Sequence, residues 1–191
     1  ISLIPSAIQN EFFQYDLGYI ETQPILTPSK FPLHYYSNAI IKRSFDILFS
    51  LLVLIFIATW LFPILALLIK LDSKGSVFFK QKRYGFHDEV FECLKFRTMI
   101  ENEESTTKTT SQNDSRITKI GRFLRKTSLD EMPQFINVLR GDMSVVGPRP
   151  HMLLIDEFYK AKIGRYSVRS LVKPGITGLA KVSGLRGDTG E

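Results

Sequence analysis

The stretch RKTSLDEMPQ, Arg125 to Gln134, sets two adjacent carboxylates, Asp130 and Glu131, behind a serine, ahead of a proline and just past a run of cations. Such a pair can belong to an active site, where adjacent carboxylates supply negative charge and proton acceptors. The same residues also fit a purely structural pattern. Ser128-Leu129-Asp130-Glu131 reads as a capping box, with the Ser128 side chain accepting from the Glu131 amide and Glu131 reaching back to the Ser128 amide. Acidic residues are favoured in a first helical turn, and Pro133 is tolerated there because its missing N–H had no partner. The spacing therefore predicts a helix beginning at Ser128 and ending at Gly141, a common C-terminal residue. Cap and catalytic site are compatible, because a helix start also presents amides to a phosphate.

The elements around the pair decide what it meets. Just before it, RITKIGRFLRK (Arg116 to Lys126) places Ile117, Ile120 and Leu124 on one helical face, with Arg116, Lys119, Arg122, Arg125 and Lys126 around the rest. That pattern predicts a helix lying in an anionic membrane surface. After it, Gly147-Pro148-Arg149-Pro150 holds an arginine between two ring-locked residues, which lowers the entropy cost of keeping a guanidinium on a phosphate. Pro174-Gly175-Ile176-Thr177-Gly178 is a second rigid turn.

Further upstream, ILFSLLVLIFIATWLFPILALLI (Ile47 to Ile69) carries no charge over 23 residues. At helical rise it is roughly 34 Å long, enough to cross a bilayer core. Pro63 predicts a kink or break, since it removes a hydrogen bond and crowds the carbonyl of Thr59. Lys42 and Arg43 precede the block and Lys70 and Lys74 follow it. Basic flanks at both ends fit a segment that enters, bends and returns to the cytoplasmic face better than one that crosses.

Between the two regions, SVFFKQKRYGFHDEVFECLKFRTM predicts two strands reversing at Gly85 to Asp88, and Lys80, Lys82, Arg83, Lys95 and Arg97 fall on this hairpin. Glu101 to Ser115 has no apolar residue and is expected to form a mobile loop. Of 191 residues, 44% are hydrophobic, and the net charge of +6 comes from Lys and Arg spread from Lys42 onward. Such a body suits an anionic partner. The single Cys93 excludes an internal disulfide and a cysteine zinc site, and His34, His87 and His151 have no metal-ligand spacing.

Taken in order, IKRSFDIL, FKQKRYG, KFRTM, TSLDEMPQFINVLRGDMSVVGPRP and VKPGITGLAKVSG resemble the bacterial sugar transferases, the monotopic polyprenyl-phosphate phosphoglycosyltransferases, from about Ile41 to Gly187. The resemblance implies an α+β, mainly helical fold with a re-entrant, Pro-broken membrane helix, interfacial amphipathic helices, a small β-hairpin and a cytoplasmic catalytic domain. It divides the chain into an N-terminal connector (1–40), a membrane-inserted helix (41–72) and a catalytic domain (73–191) that continues in the family beyond Glu191. It implies transfer of a sugar 1-phosphate from a UDP-sugar to polyprenol (undecaprenyl) phosphate at the cytoplasmic face of a bacterial inner membrane, releasing UMP and starting surface glycan assembly. Asp130 matches the nucleophile that carries the aspartyl-phosphosugar intermediate, and Glu131 the Mg2+ ligand. Arg125 matches the cation that meets the polyprenol phosphate, and Lys95, Arg97 and Arg149 match basic residues of the site. Asp142 lies in a shared motif, where a turn role is equally open. Many members carry Ser-Pro at the membrane break, whereas this chain has Phe62-Pro63, so that either the break is shallower or Thr59, one turn back, satisfies the backbone instead.

Other classes fare less well. No Asp-x-Asp pair marks a conventional metal-dependent glycosyltransferase, and no Gly-x-x-x-x-Gly-Lys loop marks nucleotide hydrolysis. Adjacent carboxylates cannot flank a glycosidic bond. The remaining alternative is a membrane-anchored scaffold or polyanion binder; membrane lipid is an expected partner and nucleic acid is not. The oligomeric state and the sugar are not written in these motifs.

Overall fold

The computed structural model describes residues 15–20, 23–28, 32–100, 114–163 and 166–184. Most of the expected polar loop, residues 101–113, and the Gly-rich end, 185–191, lie outside them. Within the first forty residues, β1 (Tyr15–Ile20) and β2 (Gln23–Pro28) pair antiparallel, with Ile20 opposite Gln23. The connector expected there thus contains a hairpin.

The apolar block forms one helical run from Tyr36 to Asp72: α1 (Tyr36–Val53), a π-helical turn (Leu54–Ala58) and α2 (Thr59–Asp72). The break expected at Pro63 is absent. Pro63 lies inside α2, and the departure from α geometry is the π turn that precedes it. Side chains cover carbonyls here: the Thr59 hydroxyl donates to the Ile55 carbonyl at 2.7 Å and Trp60 Nε1 to that of Phe56 at 2.8 Å.

One side of this run is buried throughout and the other is bare. Asp46, Ser50, Ala58, Leu65 and Ile69 are buried, whereas Leu52, Phe56, Trp60, Ile64, Leu67 and Leu71 are exposed. Both ends are tied to the rest of the protein. Asp46 accepts from the Val145 amide at 3.0 Å, and Arg43 donates to the carbonyls of Val138 and Leu139. At the far end, Asp72 accepts from the Ile120 amide at 2.9 Å.

The hairpin expected after the block is present. β3 (Phe78–Tyr84) and β4 (Val90–Phe96) pair antiparallel through a 3-10 turn at Phe86–Asp88. β4 supplies both cores. Cys93 packs with Phe135, Val138, Met143 and Val145, and Phe96 packs with Leu65, Ile69 and Leu124.

Two expectations about the basic helix and the cap need correction. α3 (Lys119–Thr127) does have an apolar stripe, but Leu124 is fully buried and Ile120 packs beside it on Leu65, Ile69 and Phe96. The stripe is covered by protein, and on this helix only Phe123 projects an apolar side chain outward. Ser128 is not an N-cap. It ends α3 in the left-handed conformation (φ 58°, ψ 17°), makes no capping bond with its side chain, and is followed by a 3-10 turn, Leu129–Glu131. The helix proper, α4 (Gln134–Arg140), starts only after Pro133 and ends, as expected, at Gly141 with φ 97°. A serine that closes one helix cannot also open the next, so the carboxylates sit on a tight link instead of a helix start.

The two proline-bounded loops meet. β5 (Ser144–Val146) and β6 (Gly175–Thr177) pair in parallel, with Gly147 donating to the Thr177 carbonyl and Gly175 to that of Pro148, each at 2.9 Å. The backbones approach so closely that a Cβ on Gly147 would lie 2.3 Å from the Lys173 carbonyl oxygen. α5 (Leu153–Lys162), a 3-10 segment (Tyr166–Leu171) and α6 (Leu179–Val182) complete the described chain.

Candidate active site

The link carrying Asp130 and Glu131 is held by its neighbours. Leu129 packs into the Phe96 core, and Met132 touches both cores. Apolar anchors on either side fix where the carboxylates point, and both are nearly sealed from solvent.

Their environments are opposite. Glu131 Oε1 receives Lys95 Nζ at 3.2 Å and Arg149 Nη2 at 3.1 Å, and its Oε2 receives Lys181 Nζ at 2.6 Å. Burial alone would push this carboxyl up, but the three cations outweigh it and bring its pKa down to about 2. Asp130 has no salt bridge among the described residues, and the one hydrogen bond that acts on its carboxylate comes from its own backbone amide. Burial raises its pKa, opposed by the charges of Lys95 and Arg125 and aided by that of Glu131. One carboxylate is fully engaged; the other is buried, without a salt bridge and more basic than usual.

The three cations come from separate parts of the chain. Lys95 stands on β4, Arg149 on the loop after β5 and Lys181 on α6, so the cluster exists only because β5 and β6 pair. A small open cleft adjoins it, walled by Arg83, Cys93, Lys95, Glu131, Gln134 and Arg149. Of the residues singled out in the sequence, Lys95, Arg149, Asp130 and Glu131 are brought together. Arg125 is close enough to act on Asp130 and is steadied by a 2.8 Å bond from Nε to Thr98 Oγ1. Arg97 is placed apart, with Nη2 donating to the Ser73 carbonyl at 2.6 Å just past the end of α2. Asp142 accepts from Asn137 Nδ2 at 3.0 Å, and Asn137 in turn donates to the Glu92 carbonyl, which is a turn role.

Lys181 and Arg83 were not foreseen. Both lie in motifs that the sequence displays, VKPGITGLAKVSG and FKQKRYG, but neither motif says which cation faces the carboxylates. Beyond Arg149 lies a polar cluster in which His151 Nδ1 meets the Tyr166 hydroxyl at 2.5 Å and Arg169 Nη1 at 2.9 Å. Burial and the Arg169 charge hold His151 down to about 4, so it is neutral at neutral pH.

The family model described as "Bacterial sugar transferase" matches residues 37–191. The UDP-glucose:undecaprenyl-phosphate glucose-1-phosphate transferase of Escherichia coli (strain K12) is 51% identical over 154 residues, which cover 80% of this chain and 33% of that protein. The protein of the same name from Caulobacter vibrioides is 46% identical over 149 residues, or 78% of this chain and 55% of the other. The exopolysaccharide production protein PSS of Rhizobium leguminosarum bv. phaseoli is 46% identical over 157 residues, 80% of this chain and 78% of the other. The chain spans about a third of the length of the Escherichia coli relative. With the carboxylate link, the hairpin and both proline-bounded loops inside the matched region, the chain belongs to the bacterial sugar transferase family.

Proposed function

We propose that the protein transfers a sugar 1-phosphate from a UDP-sugar to polyprenol phosphate through a phosphosugar carried on Asp130. The observation that carries this reading is the contrast at the link: a buried, unpaired carboxylate beside one that gathers three cations. A salt-bridged carboxylate has its lone pairs engaged, whereas Asp130 keeps its own for attack. An oxygen of Asp130 bonds to the sugar-bearing phosphorus, the bond from that phosphorus to the bridging oxygen breaks, and UMP departs with the electron pair. An oxygen of the polyprenol phosphate then attacks the same phosphorus and restores the Asp130 carboxylate. Phosphoryl transfer asks chiefly for positioning and charge stabilisation, which Lys95, Arg149 and Lys181 are placed to supply. The relatives' names specify UDP-glucose as donor and undecaprenyl phosphate as acceptor, so glucose is the first sugar to test.

Among the described residues no three His, Cys, Asp or Glu side chains gather to hold a metal. Mg2+ nevertheless fits here in its usual manner, through one or two carboxylates together with substrate phosphate and water oxygens. Glu131, ionised down to about pH 2, is the protein ligand for it. Bound there, Mg2+ supplies charge against the diphosphate and the leaving group. Because both Glu131 oxygens already hold cations, the residues' own part is an exchange: substrate phosphate draws Lys95, Arg149 and Lys181 toward itself and frees Glu131.

We also read the run from Tyr36 to Asp72 as membrane-inserted, with both ends and the catalytic domain at the cytoplasmic face. Its exposed face is almost wholly apolar, which a soluble surface rarely carries over such a length. Lys42 and Arg43 before the apolar block and Lys70 and Lys74 after it support a segment that returns to its side of entry.

The test supplies the protein in membranes with a panel of UDP-sugars and Mg2+ and measures UMP release. Without polyprenol phosphate, a sugar phosphate should remain on Asp130 by mass spectrometry. Absence of both UMP and adduct for every donor would sink the reading in favour of a non-catalytic scaffold.

A further inference from the structure

Arg83 is a cation without an anion. It stands on β3 opposite Phe91 of β4 and lines the same cavity as Lys95, Glu131 and Arg149. Its Nη1 donates to the Pro150 carbonyl and its Nη2 to Gln81 Oε1 at 2.5 Å, while its Nε is buried with no partner. No carboxylate lies within ion-pair distance of it among the described residues. A guanidinium does not give up its proton, and a buried one left unpaired is costly. Around Glu131, then, Arg83, Lys95, Arg149 and Lys181 face only Asp130 and Glu131. That positive surplus, to which Arg125 beside Asp130 adds, suits the negative charge of a nucleoside diphosphate ester.

We propose that Arg83 is a binding residue for the donor diphosphate in the cavity that it lines beside Glu131. This rests on the UDP-sugar reading above and adds a residue to it. The two Nη bonds hold the guanidinium plane still, so no side-chain freedom is lost when phosphate arrives. The bond to Pro150 also steadies the loop that presents Arg149, so the two arginines approach the ligand from one braced wall. The competing explanation is that Arg83 only braces Pro150.

The experiment measures dissociation constants of UDP and of uridine for the detergent-solubilised protein by nuclear magnetic resonance titration, in wild type, Arg83→Gln and Arg83→Lys. The proposal expects UDP to weaken about tenfold or more in Arg83→Gln and by a smaller factor in Arg83→Lys, which keeps charge but loses the fork. Uridine, which has no phosphate, should bind all three alike. If Arg83→Gln weakens UDP no further in an Arg149→Gln background, Arg83 is only a brace for that arginine, and unchanged UDP affinity in both single variants would equally overturn the assignment. Should the Gln variant not fold, the Lys variant decides. If wild type binds neither compound, the donor reading itself fails and takes the assignment with it.

Discussion

Asp46 and Glu131 are both carboxylates almost sealed from water, and they are satisfied in different ways. Asp46 Oδ1 takes Lys42 Nζ, one helical turn away, at 2.6 Å, the Ser144 hydroxyl at 3.1 Å and the Val145 amide at 3.0 Å. One charge meets one charge, and neutral donors fill the remainder. That arrangement closes on itself and pins α1 to β5. Glu131 holds three cations from three elements, with a fourth lining the cavity, so positive charge is in excess. A structural carboxylate is balanced by its surroundings, whereas a site carboxylate stores an imbalance that a ligand can resolve. Asp130, next to Glu131 and lacking any such partner, is the group that the imbalance serves.

Removing each carboxylate should separate these roles, and the largest effect is expected at Asp130. Asp130→Asn should lower turnover at least about a thousandfold, because an amide is a far poorer nucleophile of the same shape. Its thermal midpoint should stay level or rise, since an unpaired buried charge is removed. A fully active Asp130→Asn protein, confirmed free of deamidation, would end the covalent mechanism.

Asp46→Ala and Glu131→Gln come next, and together they break or keep the comparison. Asp46→Ala should cost about 2–4 kcal/mol of stability by leaving buried donors unpaired, while the folded fraction keeps its activity within a few-fold. Glu131→Gln should cost less stability, about 1–2 kcal/mol, because its cations are partly exposed and can turn to water. Its turnover should nevertheless fall steeply, with partial recovery at high Mg2+. If chemical denaturation and specific activity move together in both variants, the distinction between a structural and a site carboxylate is lost.

Acid should then take the two site carboxylates in sequence. Asp130 has a raised pKa, so it protonates first as pH falls, at a pH above its ordinary 3.8. A raised acid favours the folded state below its unfolded pKa and loses that contribution as pH rises through its folded pKa, so its protonation does not unfold the protein. Glu131 behaves oppositely: its contribution is complete above the ordinary 4.5 and is lost as pH falls toward about 2. Activity should therefore disappear, with a midpoint above 3.8, while near-ultraviolet circular dichroism is still native. Simultaneous loss of both signals would show that one group governs both.

Much of this arrangement was legible in the sequence because it is local. Val, Phe and Tyr with a reversal at Gly85 to Asp88 gave the β3–β4 hairpin, Gly141 marked the end of α4, and the uncharged run from Ile47 to Ile69 marked the long helix. What was hidden depends on distant partners. The stripe of Ile120 and Leu124 has the same spacing whether lipid or Leu65 and Ile69 covers it. Lys181 reaches Glu131, 50 positions away, only through the pairing of β5 with β6, and nothing near Lys181 announces that. At Pro63 only the break failed to appear: α2 runs on through the proline, after a π turn at Leu54–Ala58.

Ser128 gives the smallest effect and a decisive sign. As an N-cap its loss to glycine would cost a few tenths of a kcal/mol, since glycine is a fair cap. In the left-handed conformation that it adopts here (φ 58°), its Cβ is strained and glycine removes the strain. Part of that gain is offset by the greater freedom of glycine in the unfolded chain. Ser128→Gly should therefore stabilise the protein by about 0.5 kcal/mol, measured by urea denaturation at unchanged slope. The left-handed residue lets the chain leave α3 and turn within the three residues Leu129–Glu131, with Met132 already back in the core. That tight link leaves Asp130 without a salt-bridge partner while Glu131 meets three cations. A loss of stability on Ser128→Gly would mean that the serine caps α4 after all, and that the two carboxylates share one helical start.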